Sequence, residues 1–152
     1  MMEPVRWRPN ATVAAVVERD AHFLIVEERD RVTGGIVFNQ PAGHLERGES
    51  LADAVVRETL EETRWQVELV GYLGVARFVA TDDTTYLRHT FAATPKREVS
   101  HLALDDGIIG CHWMTRTDIA AHATQLRSPL VLQVIDLYCR GVIAPLSLVL
   151  DS

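Results

Sequence analysis

The chain has 152 residues, of which 47% are hydrophobic and 24% are charged, and its formal net charge is −6. This length corresponds to about one domain, so we predict a single domain over residues 1–152. The apolar content excludes a disordered chain, two cysteines are too few for a disulfide scaffold, and every apolar stretch is shorter than the roughly 20 residues of a membrane span. The negative charge excludes a nucleic-acid polymer as partner, because such binders carry basic surfaces.

The chain is expected to be cytoplasmic. No apolar core follows the charges of the N-terminal segment MMEPVRWRPN, which predicts that no targeting signal is present. Cys111 and Cys139 lie among apolar residues without ligand-spaced partners, which is typical of buried free thiols in a reducing compartment.

The first half of the chain is predicted to consist of strands followed by a helix. Segments 11–17 and 22–28 are rich in β-branched and apolar residues, and the charged turn 18–20 between them indicates a hairpin. A short strand is expected at 36–38. Ser50 stands three residues before Asp53, as in a capping box, and 51–63 contains neither Gly nor Pro, so a helix is predicted there.

The second half is predicted to repeat this order. Strands are expected at 67–79, 84–93 and 108–114, with a polar loop over 94–107. Thr117 is predicted to cap a short helix, and Ser128 with Pro129 to begin a longer one that Gly141 ends. The order strands, helix, strands, helix predicts an α/β (α+β) sandwich in which helices cover a mixed sheet.

The predicted helix over 51–63 has an acidic face that core packing does not explain. Glu58, Glu61 and Glu62 share one arc, apart from a packing arc formed by Ala52, Val55, Val56 and Thr59. Like charges at these spacings repel by a few tenths of a kcal/mol per pair. A divalent cation would offset that repulsion, and carboxylate oxygens suit Mg²⁺ or Mn²⁺. A solvated glutamate face is the alternative, because Glu is a good helix former.

The segment 43–65 resembles the signature of the Nudix hydrolases. The pattern is Gly, five residues, Glu, seven residues, Arg-Glu, an apolar residue, any residue, Glu-Glu, any residue, Gly and an apolar residue. The matching positions are Gly43, Glu49, Arg57, Glu58, Glu61, Glu62 and Trp65. Thr59 replaces an apolar residue of the pattern. Arg64 replaces its second glycine, so either the helix ends differently or Arg64 bears a left-handed strain of about 1 kcal/mol.

Four further segments resemble a small branch of that family, the NudJ-type phosphatases: 39–46 (NQPAGHLE), 86–91 (YLRHTF), 111–113 (CHW) and 126–131 (LRSPLV). The resemblance implies a Nudix-type α/β/α sandwich and an enzyme that hydrolyses the P–O–P linkage of small diphosphate compounds. In this branch the substrates include thiamine pyrophosphate, its pyrimidine pyrophosphate precursor and nucleoside di- and triphosphates, with release of inorganic phosphate.

The resemblance also implies the catalytic residues, which are Arg57, Glu58, Glu61 and Glu62. It implies that Mg²⁺ or Mn²⁺ binds to Glu58, Glu61, Glu62 and the main-chain carbonyl of Ala42. Arg57 is expected to orient a carboxylate, and Gly43 and Glu49 to shape and support the loop or an outer metal. Glu58 is our expected general base, with the loop residues Glu98, Asp105 and Asp106 as alternatives.

Substrate contacts are predicted from side-chain chemistry. Arg88 and Arg127 can pair with a phosphate through a planar guanidinium, and Gln40 and His44 lie beside the Gly43 loop. The aromatic residues Phe78, Tyr86 and Trp113 are candidates for stacking on a heterocycle, with core packing as the alternative for each.

Two other functions stay open at this stage. One is a nucleoside triphosphate pyrophosphohydrolase that releases pyrophosphate instead of phosphate. The other is a catalytically idle Nudix-fold module that binds a nucleotide or ADP-ribose, which the retained glutamates disfavour. The oligomeric state is expected to be a monomer or a homodimer.

Overall fold

The computed structural model describes residues 1 and 4–152, and the strands within them form one seven-stranded mixed sheet. The strands are β1 (Asn10–Arg19), β2 (His22–Arg29), β3 (Ile36–Asn39), β4 (Ala42–His44), β5 (Trp65–Val79), β6 (Thr85–Glu98) and β7 (Ile108–Thr115). The helices are α1 (Leu51–Thr63), α2 (Arg116–Ala121) and α3 (Leu130–Cys139). Residues 2 and 3, which belong to the segment used to predict the lack of a targeting signal, lie outside the described residues.

The sheet is built around β1, which changes its antiparallel neighbour along its length. The strand order is β3-β2-β1-β6-β5, with β4 paired to β1 and β7 paired to β2. β1 runs parallel to β6, whereas its start pairs with β4 (Thr12↔His44) and its end pairs with β2 (Glu18↔Phe23). Since β4 pairs with the first half of β1, the loop that leads into α1 starts beside the central strand of the sheet.

Helices cover both faces of β1, which confirms the predicted α/β/α sandwich. Because side chains alternate along a strand, Val13, Ala15 and Val17 lie on one face and pack in a cluster with Ala54 and Val55 of α1. On the other face, Val16 belongs to a cluster with residues of α2 and α3, which are Ile119, Val131, Val134 and Ile135. A strand buried on both faces has the continuous apolar character seen in 11–17.

Helix α1 begins and ends at the predicted residues. Its N-terminus is capped by Ser50, whose hydroxyl accepts a hydrogen bond from the Asp53 N–H at 3.0 Å. At the other end Arg64 adopts a left-handed conformation with φ 66° and donates its N–H to the Leu60 carbonyl at 2.8 Å. Arg64 therefore bears the strain that the motif glycine would avoid, about 1 kcal/mol.

The buried face of α1 differs from the packing face predicted from the sequence. Ala52 and Val56 are only half-buried, whereas Ala54, Glu58 and Glu62 are buried together with Val55 and Thr59. The helix turns its glutamate edge inward because β4 lies under it, so part of the acidic face is not solvated.

Three other local predictions are corrected. The short strand β4 was not predicted, and the loop expected at 94–107 is shorter because β6 continues to Glu98, opposite Trp65. The cap of α2 is Thr115, not Thr117, because Thr115 exchanges two hydrogen bonds with Asp118, both at 3.1 Å, in a capping box.

The predicted bounds of α3 are confirmed within two residues. Its first backbone N–H, that of Leu130, donates to the Ser128 hydroxyl at 3.3 Å, and Gly141 follows its end with φ 72°. Both cysteines are free as expected, but Cys139 on α3 is exposed and Cys111 is half-buried, so the prediction that both are buried is wrong. Among the described residues, no helix is long and apolar enough to cross a membrane.

Candidate active site

A cleft of about 680 Å³ opens beside β4 and the C-terminal half of α1. Its lining combines carboxylates, guanidinium groups and aromatic rings. The carboxylates include Glu28, Glu58, Glu62 and Asp105, the arginines include Arg88 and Arg127, and the aromatic residues include Phe78 and Tyr86.

Gly43 allows the Glu58 carboxylate to lie directly against β4. A Cβ atom at position 43 would be 2.1 Å from Glu58 Cδ, far inside van der Waals contact. Any other residue would push the carboxylate away. The first glycine of the motif is therefore explained by space for a buried glutamate.

Arg57 organises the carboxylates on the solvent side of α1. Its guanidinium donates to Glu49 through two nitrogens at 2.6 and 3.0 Å, to Glu58 Oε1 at 2.9 Å and to Glu61 Oε2 at 3.1 Å. It also donates to the His44 carbonyl at 3.1 Å. The hydrogen bonds that Arg57 donates to these carboxylates raise its pKa above the ordinary value, while the pKa of Glu49 is lowered, chiefly by its bond to Arg57.

Glu62 is the most strongly perturbed acid of the cleft. Its Oε2 accepts a hydrogen bond from the Ala42 N–H at 3.1 Å, which favours the charged form. Burial outweighs this bond and, with the nearby carboxylates of Glu28, Glu58 and Asp105, raises the pKa of Glu62 to about 9. Such crowding of carboxylates around a buried acid is unfavourable without a cation.

Three carboxylates meet at the position where a cation would fit. One oxygen each from Glu58, Glu61 and Asp105 lies within 4.8 Å of the other two. Asp105 is held there by its backbone N–H, which donates to the Glu61 carbonyl at 3.2 Å. Hard oxygen donors at partly exposed positions match the preferences of Mg²⁺ and Mn²⁺, so these residues fit a divalent metal.

This cluster differs from the predicted carboxylate ligands at two residues. Asp105 joins it, although the sequence suggested it only as a general base, and Glu62 lies outside it. The signal that was available for Asp105 is the Asp-Asp-Gly sequence in a polar loop directly before a strand.

Arg88 lies at the bottom of the cleft and is only 7% exposed. Its Nη2 donates to Gln40 Oε1 at 2.6 Å and its Nη1 to Asn39 Oδ1 at 3.3 Å. Gln40 is itself fully buried, and its Nε2 donates to the Val131 carbonyl at 2.7 Å. Gln40 therefore supports Arg88 from behind and does not line the cleft.

The other predicted substrate residues lie at the rim. Arg127 is exposed and pairs with Glu28 at 2.8 Å and Asp30 at 2.5 Å, so it ties the loop before β3 to the start of α3. His44 lies edge-on to Tyr86, with ring centroids 6.0 Å apart.

Not every aromatic or acidic candidate reaches the cleft. Phe78 and Tyr86 line it, whereas Trp113 packs edge-on against Trp65, and both tryptophans are partly buried against the core. Of the acids considered as general bases, Asp105 and Asp106 line the cleft. Glu98 lies at the far end of β6, opposite Trp65.

Comparison with known proteins identifies the family. The model of the NUDIX domain matches residues 7–133. The chain belongs to the Nudix family. It is 37% identical over 145 residues to Phosphatase NudJ of Escherichia coli (strain K12), which covers 95% of this chain and 93% of that protein.

Solved structures agree with this assignment. A NUDIX hydrolase from Nitrosomonas europaea superposes with a TM-score of 0.92 at 40% identity, covering 95% of this chain and 98% of that one. A MutT protein from Methanosarcina mazei Go1 has a TM-score of 0.69, with coverage of 89% and 96%, but at 20% identity it shows the fold alone.

The Nudix signature thus corresponds to a physical arrangement in this chain. The predicted family, fold and enzyme class are confirmed: the protein is a Nudix hydrolase, an enzyme that acts on diphosphate compounds. The structure brings Gly43, Glu58 and Glu62 into one cleft with Arg88, and Arg57 donates hydrogen bonds to Glu58 and Glu61.

Proposed function

We propose that this Nudix hydrolase is a metal-dependent phosphatase that cleaves the P–O–P linkage of a small diphosphate compound and releases inorganic phosphate. The observation that carries the proposal is the cluster of Glu58, Glu61 and Asp105, which borders the cleft that contains the buried cation Arg88. Such a site can hold a divalent metal and a phosphate side by side. The name of the similar NudJ phosphatase supports phosphate as the product.

Residues of the chain would hold Mg²⁺ or Mn²⁺ through carboxylate oxygens. We assign Glu58, Glu61 and Asp105 to this task and keep Glu62 and the Ala42 carbonyl as predicted further ligands. When bound, the cation neutralises part of the diphosphate charge and lowers the pKa of water.

Glu58 is our proposed general base. Burial raises the pKa of Glu58, which brings it closer to neutrality, where a base works best, although its bond to Arg57 opposes the shift. Within the described residues, Arg57 donates to one of the two Glu58 oxygens, Oε1, so the other oxygen does not bond to Arg57. Asp105 is the second candidate, because its carboxylate belongs to the same cluster.

The proposed hydrolysis is a single displacement at phosphorus. The oxygen of water forms a bond to phosphorus, and the bond from that phosphorus to the bridging oxygen breaks. The leaving phosphate departs with the electron pair, and the proton of water passes to the Glu58 carboxylate. We expect Arg88 to stabilise the charge of the phosphates.

The aromatic residues support a substrate that carries a heterocycle. Phe78 and Tyr86 lie opposite each other on β5 and β6, with ring centroids 6.5 Å apart, and both line the cleft. A planar ring can stack on either. Thiamine pyrophosphate, its pyrimidine pyrophosphate precursor and nucleoside di- and triphosphates all have such a ring, and these are the substrates that we propose.

A substrate panel tests this function directly. Each candidate is incubated with Mg²⁺ or Mn²⁺, and phosphate is measured with and without added inorganic pyrophosphatase. Phosphate released without the helper enzyme supports the proposal. Phosphate that appears only with it identifies a pyrophosphohydrolase, and no release from any candidate with either metal shows that these compounds are not substrates, so both outcomes contradict the proposal.

Four further expectations remain predictions. They are a single domain over residues 1–152, a cytoplasmic location, a monomer or homodimer, and the absence of a nucleic-acid polymer as partner.

A further inference from the structure

The hydrogen bonds of Arg88 are unusual for a buried cation. A buried arginine is ordinarily paired with a carboxylate, because an uncompensated charge is costly inside a protein. In the described part of the chain, Arg88 instead donates to two neutral amides, Asn39 and Gln40, and its buried Nε has no hydrogen-bond partner. The cation is thus held in place without being neutralised by contact.

The orientation of the Gln40 amide is determined at both ends. Its Nε2 donates to the Val131 carbonyl, which can only accept, and its Oε1 accepts from Arg88, which can only donate. If the amide were flipped, its Nε2 donor would face the Arg88 donor and its Oε1 acceptor would face the Val131 carbonyl. Gln40 consequently presents an oxygen to Arg88 while it also anchors the first turn of α3.

A glutamate at position 40 would be a stronger hydrogen-bond partner for Arg88 than the neutral amide of Gln40. A carboxylate at position 40 would form a charge-assisted pair with the guanidinium, which is about twice as strong as a neutral bond. It would also cancel the charge that an incoming anion meets. The acids Glu28 and Glu62 act on Arg88 through space, but neither forms an ion pair with it within the described residues.

We propose that Gln40 and Asn39 are positioning residues whose neutral amides hold Arg88 as a free cation for one phosphate of the substrate, an inference that rests on the proposed function. Burial lowers the pKa of Arg88 to about 10, so the group is still charged at neutral pH. The two amides follow each other at the end of β3, directly before Pro41 and β4. The same short segment therefore positions both the phosphate-binding cation and the Ala42–Gly43 backbone under the acids.

The test is a double-mutant cycle on ligand binding, in which each variant is first shown to be folded by circular dichroism. Calorimetry measures the Kd of methylenediphosphonate, whose P–C–P bridge cannot be hydrolysed, in the presence of Mg²⁺. Gln40→Glu and Arg88→Met are each expected to weaken binding at least about tenfold. In the Arg88→Met background, Gln40→Glu is expected to have a much smaller effect, because Gln40 acts through Arg88.

Two controls separate this role from a merely structural one. Gln133→Glu makes the same change at an exposed position of α3 and should bind the diphosphonate as the wild type does. The affinity of Gln40→Glu for Mg²⁺ alone should stay within about twofold of wild type, since position 40 does not belong to the carboxylate cluster. If Gln40→Glu does not fold, Asn39→Asp places a carboxylate on the other side of Arg88 and leaves the bond from Gln40 to Val131 intact.

The outcomes are distinct from those of the substrate panel. A folded Gln40→Glu or, in its place, Asn39→Asp that binds the diphosphonate as tightly as wild type overturns the inference, and so does an equal loss in both backgrounds of the cycle. If the wild type hydrolyses its substrate and this binding pattern is absent, the inference alone fails. If no substrate is hydrolysed but the pattern is observed, the proposed function fails and the role of the two amides stands.

Discussion

Two arginines of the same site, Arg57 and Arg88, have opposite surroundings. Arg57 is a quarter exposed and has ion pairs with four acids, Glu46, Glu49, Glu58 and Glu61. Arg88 is buried and donates to two amides. Carboxylate partners raise the pKa of the first above its ordinary value, whereas burial lowers the pKa of the second to about 10.

This contrast indicates a division of labour. The charge of Arg57 is used within the protein, because it holds Glu49, Glu58 and Glu61 in one arrangement at distances of 2.6 to 3.1 Å. The charge of Arg88 is not matched by a contacting carboxylate among the described residues, so it is available to a ligand. Four mutational predictions test this division.

The largest effect is expected from Glu62→Gln, which removes the most perturbed acid of the cleft without changing its size. Turnover should fall roughly 10²–10³-fold, as for other charge-stabilising groups, with the fold intact. The measurement is kcat under saturating Mg²⁺, beside Glu68→Gln, an exposed control whose ion pair within the described residues is with Lys96. Near wild-type turnover of Glu62→Gln would refute its role.

A smaller but still large effect is expected from Gly43→Ala, which displaces one of the carboxylates that Arg57 holds. The added methyl group would overlap the Glu58 carboxylate, so Glu58 must leave its position beside Arg57. We expect a loss of about 1–3 kcal/mol in the free energy of unfolding and a fall in turnover of about 10²-fold. Gly110→Ala is the matched control, since no atom of the described part of the chain lies within 4 Å of its added methyl. Unchanged turnover for Gly43→Ala would show that the glycine is not needed for space.

The third prediction compares the two arginines by urea unfolding in the absence of metal. Arg57→Met should lower the free energy of unfolding by about 1–3 kcal/mol, because its carboxylate partners lose a charged donor. Arg88→Met should lower it less, since an apolar side chain can replace a buried cation that has no contacting counter-ion. Added Mg²⁺ should restore more stability to Arg57→Met than to Arg88→Met. Equal losses for the two variants would contradict the division of labour.

The smallest effect concerns pH. Because Arg57 lowers the pKa of Glu49, their pair stabilises the protein above the ordinary pKa of 4.5, and that contribution is lost as the pH falls through the lowered value. The difference in unfolding free energy between wild type and Arg57→Met should therefore be smaller at pH 3 than at pH 7. Lys96→Met, which breaks an exposed pair with Glu68, should stay within about 0.5 kcal/mol of wild type at both values. A difference that does not change with pH would show that the Arg57–Glu49 pair is not stabilising.

The sequence by itself determined those features that depend on near neighbours along the chain. The bounds of α1 follow from Ser50, Asp53 and the absence of Gly and Pro between 51 and 63. The proximity of Glu58, Glu61 and Glu62 follows from helical spacing. The same local pattern was sufficient to indicate the family, because a signature of charged residues at set spacings is itself local information.

Only the tertiary structure decided which distant residues complete the site. The bond from Gln40 to Val131 joins positions 91 residues apart, and that from Arg88 to Gln40 joins positions 48 apart. Asp105 reaches Glu58 and Glu61 only because the loop before β7 folds back on α1. Such contacts depend on strand order, and in particular on the parallel pairing of β1 with β6, which places Arg88 beside Thr12 and close to β4. Spacing along the chain contains no record of that pairing, so the burial of Arg88 and the role of Gln40 had to come from the fold.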